Sequence, residues 1–161
     1  MNQQPSVLRK LAIRGGILVA VIGIGIQFIP YKAEGLENPP NQPPLQEPPE
    51  VVAILKRACY DCHSHETKYP FYSLIAPGKW LLAHDVVEGR AALNFSEWPE
   101  DEEDRQFNRE QALEILLEGE MPPWFYLPAH PEAKLTEKDM AILNAWGAEK
   151  EDEDEDEDED E

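Results

Sequence analysis

The pentapeptide Cys59-Tyr60-Asp61-Cys62-His63 governs the architecture of this chain. With this spacing, each of the two thiols can form a thioether to one vinyl group of a haem, and the histidine beside them is placed to ligate the iron. These are the only two cysteines among the 161 residues, so no thiol is left for a structural disulfide. The motif predicts one covalently bound haem c per chain, attached through Cys59 and Cys62, with His63 as an axial ligand.

The second axial ligand is predicted to be Met121. It follows Gly119, which ends a predicted helix, and it precedes Pro122-Pro123, so a stiff and extended loop presents its thioether. Methionine–histidine ligation raises the reduction potential of a haem and suits one-electron transfer. A methionine that simply fills the core is the alternative. His84 is the second candidate for this ligand, because it lies on the apolar side of a predicted helix.

Two other kinds of site use the same pair of cysteines. A Cys-x-x-Cys redox pair normally lies at the N-terminus of a helix in a βαβ fold, whereas this motif follows a helical segment and no strand pattern accompanies it. A zinc site needs four ligands, for example Cys59, Cys62, His65 and His84, but the usual second pair of closely spaced ligands is missing. Both alternatives match the pattern less well than a haem.

The chain is acidic, with a formal net charge of −19. Residues 151–161 form an unbroken run of glutamate and aspartate that carries eleven of these charges, which leaves −8 for the rest. An acidic body without a lysine or arginine cluster beyond the N-terminus argues against nucleic acid as a partner. The run cannot bury apolar surface, so residues 149–161 are predicted to form a disordered tail.

An apolar segment near the N-terminus predicts a membrane anchor. Residues 15–29 are apolar or glycine except for Gln27. Extension back to Leu11, with Arg14 reaching the headgroups, gives a helix of about 28 Å, close to the thickness of a hydrocarbon core. Basic residues precede the segment and acidic residues follow it, so we expect a single-pass protein of a bacterial inner membrane whose body faces the periplasm. A cleaved signal peptide is the alternative.

The sequence divides into four parts. Residues 1–36 form the cytoplasmic tip and anchor, 37–49 a proline-rich linker, 50–148 a haem-binding domain and 149–161 the acidic tail. Three Pro-Pro pairs in the linker are typical of polyproline II helix. The linker is predicted to be a semi-rigid spacer that holds the body up to about 40 Å from the bilayer.

The spacing of apolar residues in the body predicts helices and no strands. The helices are expected over 50–62, 77–93, 105–118 and from Thr136 onward, where Asp139 completes a capping box. The second helix is predicted to bury one apolar face, made up of Trp80, Leu81, His84, Val87 and Ala91. Arg90 and Lys79 on the same helix are candidates for pairing with haem propionates, or belong to a solvated face.

Six short segments of the body occur in the same order as in one known protein family. They are Cys59-Tyr60-Asp61-Cys62-His63-Ser64, Tyr69-Pro70-Phe71-Tyr72-Ser73, Ile75-Ala76-Pro77, Glu88-Gly89-Arg90, Leu93-Asn94-Phe95-Ser96-Glu97-Trp98 and Glu120-Met121-Pro122-Pro123-Trp124. Over residues 50–148 they resemble the bacterial haem-binding domain family, a cytochrome c-like group. The resemblance implies haem c on the two cysteines, His63 as one axial ligand and the Met-Pro-Pro methionine, Met121, as the other. Related domains are fused to cytochrome c or peroxidase-like modules, which implies service in exported electron-transfer chains.

The expected fold is an all-α, cytochrome c-like domain behind a transmembrane helix, with Val52 and Leu55 of the first domain helix meeting Leu143 or Trp146 of the last. The expected function is a membrane-anchored periplasmic mono-haem cytochrome that carries single electrons between redox partner proteins. An enzyme is not expected, because no base–nucleophile pair or catalytic carboxylate pair is evident. The alternative is a haem-based sensor or peroxidase-like module whose sixth ligand is open or exchangeable.

Overall fold

The structure is a computed structural model that describes residues 7–30 and 34–148. The described residues contain helices and no strand, which confirms the predicted all-α class. The predicted acidic tail lies outside the described residues. The helices are α1 (Val7–Gly25), α2 (Pro49–Ala58), α3 (Tyr60–His63), α4 (Gly78–Ala92), α5 (Glu102–Leu117) and α6 (Glu137–Gly147).

Helix α1 and the 3-10 turn after it form one apolar segment from Val7 to Phe28. Its most apolar window of 18 residues has a mean hydropathy of 2.0, and none of that window is buried by the rest of the chain. A helix of this length spans about 33 Å, enough to cross the hydrocarbon core of a bilayer. The segment is therefore long and apolar enough to be a membrane span, although a signal sequence shares these features.

The single helix predicted over 50–62 is divided in two. The backbone at Cys59 departs from helical geometry (φ −124°, ψ −34°), and the one-turn helix α3 begins at the next residue. The amide groups of Cys62 and His63 then donate to the carbonyl of Cys59, at 3.1 and 2.9 Å. The break has a packing reason, because α2 contacts α6 whereas α3 contacts α4. It directs the two halves of the predicted helix to different neighbours.

The predicted contact between the first and last helices of the body is confirmed. Leu55 of α2 lies in one buried cluster with Leu143 and Trp146 of α6, and Val52 packs against that cluster. Leu55 and Leu143 are almost completely inaccessible. The other buried members of the cluster are Leu45, Val51, Ile54, Tyr60, Phe95 and Leu116.

The face that α4 buries differs from the predicted one. Ala83, Val86 and Gly89 are buried, whereas His84 and Leu81 are exposed. The prediction chose the side of the helix with the larger apolar side chains. In the structure α4 presents small residues instead, because α3 approaches it closely and leaves little room between the two backbones.

Side-chain caps set the bounds of α5 and α6. Helix α5 begins at Glu102, three residues before the predicted start, because the Asp101 carboxylate accepts from the amide of Glu103 at 2.9 Å. Gly119 follows its end with φ +75°, a conformation that glycine adopts without strain. The capping box predicted for α6 is confirmed, since Thr136 and Asp139 bond to each other's backbone amides.

The proline-rich segment 37–49 packs along the body, so the spacer predicted from its composition is corrected. Leu45 is part of the buried core. The Glu47 side chain, which is only 2% exposed, accepts hydrogen bonds from the indoles of Trp98 and Trp146 and forms a 2.8 Å ion pair with Arg109. Polyproline II backbone makes no internal hydrogen bonds, so its side chains and carbonyls are free to bind elsewhere.

Arg90 of α4 fixes the beginning of this segment. Its guanidinium donates to the carbonyls of Gly35 and Glu37 at 2.6 and 2.9 Å, and to the side chain of Asn38 at 2.9 Å. The Asn38 amide in turn donates to the Thr67 carbonyl at 2.8 Å. The segment 37–49 is therefore bound to the body near both of its ends.

Candidate haem-binding site

The residues predicted to hold a haem surround one cavity of about 490 Å³. Cys59, Cys62 and His63 line it from the motif, and Met121 lines it from the loop after α5. This volume lies within the range of small-molecule and cofactor sites. The remaining lining residues are Ala58, Asp61, Asp85, Glu88, Gly89, Ala92, Glu120, Pro122, Pro123, Phe125 and Tyr126.

The imidazole of His63 is held in one orientation. Its Nδ1 lies 3.0 Å from the carbonyl oxygen of Leu93, which can only accept, so Nδ1 carries the proton and donates it. Nε2 is then the unprotonated nitrogen, the form that binds a metal. The ring also meets Phe95 edge-on, with ring centroids 6.4 Å apart. Burial lowers the pKa of His63, which favours the neutral ring that a ligand requires.

Both cysteines are free thiols in the structure. Burial raises the pKa of Cys59 to about 12, and the neighbouring Cys62 adds to the rise. Burial, followed by the charges of Asp85 and Asp61, raises the pKa of Cys62 to about 11. A redox pair or a zinc site needs thiolates, which these environments disfavour. In the described ranges 7–30 and 34–148, no group of three or more His, Cys, Asp or Glu side chains could hold a metal ion.

Helix α4 packs against the haem-attachment motif at Gly89, which contacts the backbone of Cys62. A Cβ atom at this position would lie 2.8 Å from the carbonyl oxygen of Cys62 and 3.2 Å from its Cβ. Only glycine permits this approach of two backbones, and the approach places α4 against the cavity wall. A lone glycine inside a helical pattern is a signal of close packing that sequence reasoning can use. The carbonyl of Leu93, by contrast, has no signal in the sequence.

Replacing Gly89 with alanine should destabilise the site. The added methyl forces α3 and α4 apart at Cys62, at a cost of about 1–3 kcal/mol, and shifts His63 from its place. Thermal unfolding and the haem content per chain should both fall. Gly23→Ala is the matched control. Gly23 is also inside a helix, but a Cβ there would meet no atom within 4 Å apart from the backbone of its own helix. Equal behaviour of the two variants would show that the close approach at Gly89 has no role.

The structure separates the two candidates for the second axial ligand. Met121 borders the same cavity as the motif, on a loop held between Gly119 and Pro122-Pro123. His84 is exposed on α4 and lines a different cavity, with Trp80, Val87 and residues that follow α1. The structure therefore does not bring His84 together with the motif. The reason is the rotation of α4, which buries its small residues and turns His84 outward.

A smaller cavity of about 270 Å³ adjoins the first and shares five lining residues with it: Asp61, Cys62, Asp85, Phe125 and Tyr126. The hydroxyl of Tyr126 donates to Asp61 at 2.9 Å, and its ring stacks on His130 at 4.0 Å between centroids. A hydrogen bond of 2.6 Å joins the hydroxyl of Tyr72 to Nε2 of His130. The sequence did not predict these two hydrogen bonds, because partners more than fifty positions apart leave no local pattern. They hold the loop after α5 against the motif.

The basic residues predicted to pair with propionates have other roles. Arg90 donates to the carbonyls of Gly35 and Glu37, and Lys79 donates to the carbonyl of Gln27 at 2.9 Å. Neither residue lines the two cavities, whereas Lys68 lines the smaller one. Lys68 follows the motif by five residues, in a loop whose path the sequence does not reveal.

The donor set fits a haem. Two thiols, an oriented imidazole and a thioether border one cavity, and Gly89 lets α4 pack directly against the motif. A family model described as a haem-binding domain matches residues 21–149, and the chain belongs to this family. No curated protein and no solved structure matches the chain in the other two comparisons. The match begins inside α1 and includes the segment 37–49, which agrees with the packing of Leu45 and Glu47 into the body.

Proposed function

We propose that this haem protein is a membrane-anchored, periplasmic mono-haem c-type cytochrome that carries single electrons between redox partner proteins. The observation that carries the proposal is the convergence of Cys59, Cys62, His63 and Met121 on one cavity. When bound, the haem iron supplies a one-electron couple. The chain supplies covalent attachment, axial ligands and a shielded environment.

Each residue of the set has a distinct role. Cys59 and Cys62 attach the macrocycle through thioether bonds. His63 binds the iron through Nε2, and its bond to the Leu93 carbonyl holds the ring in place and raises its basicity. Met121 provides the second axial ligand from a proline-stiffened loop, which favours the reduced state of the iron and resists exchange.

The apolar segment Val7–Phe28 supports the anchor, and the basic residues Arg9, Lys10 and Arg14 in its N-terminal part support an N-terminus in the cytoplasm and a body in the periplasm. In this proposal residues 50–148 form the haem-binding domain and the acidic tail follows it. The strongly acidic surface suits redox partners that carry a basic face, because opposite charges speed the encounter of two proteins.

Production with export and the haem-attachment machinery tests the proposal. Intact mass should show one haem per chain, and a pyridine haemochrome assay should give the same stoichiometry. The Cys59→Ser/Cys62→Ser variant should carry no covalent haem, because no thiol remains to attack a vinyl group. Protein made in the cytoplasm is the control without attachment. Colourless exported protein with both thiols open to alkylation would refute the assignment.

A further inference from the structure

The end of α1 is clamped to the body by Gln27, the one polar residue of the apolar stretch 15–29. The Gln27 side chain accepts from the Ala76 amide at 2.9 Å and donates to the Ala76 carbonyl at 3.2 Å. Lys79 donates to the backbone carbonyl of Gln27 at 2.9 Å. These three bonds fix the start of α4 to the end of the candidate membrane span.

Three apolar side chains stand exposed directly beside this clamp. Phe71 is 79% exposed, Leu74 80% and Ile75 52%, and together they form what we call the 71–75 patch. Gln27 is the penultimate residue of the apolar span Val7–Phe28, so Ala76 lies at the level where the hydrocarbon of a bilayer would end. The patch therefore continues the apolar surface of α1 at the height of the headgroups.

The charge distribution points the same way. Residues 67–84 contain no aspartate or glutamate, although the chain as a whole is strongly acidic. Lys68 and Lys79 are the charged residues of this range. An acidic protein face would be repelled by anionic phospholipids, whereas lysines near the surface are attracted to them. This range is therefore suited to lie against a membrane, in contrast to α5, whose first turn is acidic.

We propose that the 71–75 patch inserts into the headgroup region of the bilayer that α1 crosses, so that the body rests on anionic phospholipid in a fixed orientation. This inference rests on the membrane anchoring proposed above. The Gln27 clamp and the bound 37–49 segment hold the body rigidly at the end of α1, and we call this arrangement on the bilayer the seat of the body. The haem cavity then stays at one height above the membrane, and partners reach it from the periplasmic side.

Thiol accessibility in nanodiscs tests the seat. Leu74→Cys, Phe107→Cys and Val19→Cys are each introduced into the full haem-loaded chain, at one chain per disc of phosphatidylcholine and phosphatidylglycerol. A charged maleimide reacts with accessible thiolates, and intact mass follows the rate. Wild-type protein in parallel counts any adduct on the native cysteines. Phe107, which is 61% exposed on the acidic helix α5, is the matched control.

We expect Leu74→Cys to react at least about ten times more slowly than Phe107→Cys. The maleimide reacts with the thiolate, and an apolar environment raises the pKa of a thiol. A rise of one pKa unit already lowers the thiolate fraction about tenfold. The chain itself leaves position 74 exposed, so the bilayer must supply the protection. In guanidinium the two variants should react alike.

Similar rates at positions 74 and 107 in the discs overturn the inference. If Val19→Cys stays protected in that case, the anchor stands and only the seat is wrong. If Val19→Cys also reacts quickly, the anchor fails with it. Protection of position 74 that occurs only in discs with two or more chains also overturns the inference, because a second copy would then be covering the patch.

Discussion

Replacing Met121 with alanine should convert a six-coordinate haem into one with an open position. In the proposed site the thioether of Met121 is the second axial ligand, and a methyl group cannot reach in its place. The reduction potential should fall on the order of 0.1 V or more, within the roughly 0.8 V that axial ligands control. The reduced variant should bind carbon monoxide rapidly, and the ferric variant should lose the weak sulfur-to-iron band in the near-infrared.

His84→Ala is the matched control for this experiment. His84 was the other candidate ligand, but it is exposed and lines a separate cavity, so its removal should leave the spectrum and the potential unchanged. An unchanged spectrum in Met121→Ala would discard the ligand assignment. Rapid binding of carbon monoxide by the wild-type protein would favour the sensor or peroxidase-like alternative, in which the sixth position is exchangeable.

Replacing Glu47 with alanine should destabilise the body by about 3–5 kcal/mol, because it leaves the buried Arg109 cation without its buried carboxylate partner. The Arg109 guanidinium would keep one carboxylate, that of the largely exposed Glu102, and the amide oxygen of Gln106. The indole N–H groups of Trp98 and Trp146 would also lose their acceptor. Denaturant unfolding of the full chain, followed by circular dichroism, measures the loss.

Two further variants make this test specific. Glu47→Gln retains a side-chain acceptor but removes the charge, so it should fall between the wild type and Glu47→Ala. Glu50→Ala removes an exposed carboxylate at the start of α2 and should cost less than about 1 kcal/mol. If Glu47→Ala cost no more than Glu50→Ala, the 37–49 segment would be a detachable linker, as its composition suggests.

The predictions that held depend on short-range patterns. The all-helical class follows from the 3.6-residue spacing of apolar residues, and the start of α6 from the reciprocal pairing of Thr136 with Asp139. The contact of Leu55 with the cluster around Leu143 follows from the apolar faces that α2 and α6 both bury. Each of these signals is contained within one or two turns of the chain.

The predictions that failed concern which neighbour an element meets. Composition favoured a free spacer over 37–49, but Glu47 finds partners up to 99 positions away. Residue size favoured the His84 side of α4, but the close approach at Gly89 selected the side with small residues. Local propensity cannot reveal either outcome, because tertiary packing overrides it.

The amino-acid sequence alone established the chemistry available to this protein: two thiols and an imidazole at attachment spacing, a methionine before two prolines, and an apolar segment long enough to cross a bilayer. The tertiary structure decided which of these groups share a cavity, how His63 is oriented and where the body lies relative to α1. The physical reason is the distance in sequence between the residues involved, because covalent geometry alone sets the spacing of residues within a motif. The bonds of Leu93, Glu47 and Gln27 instead join residues that only the completed fold brings together.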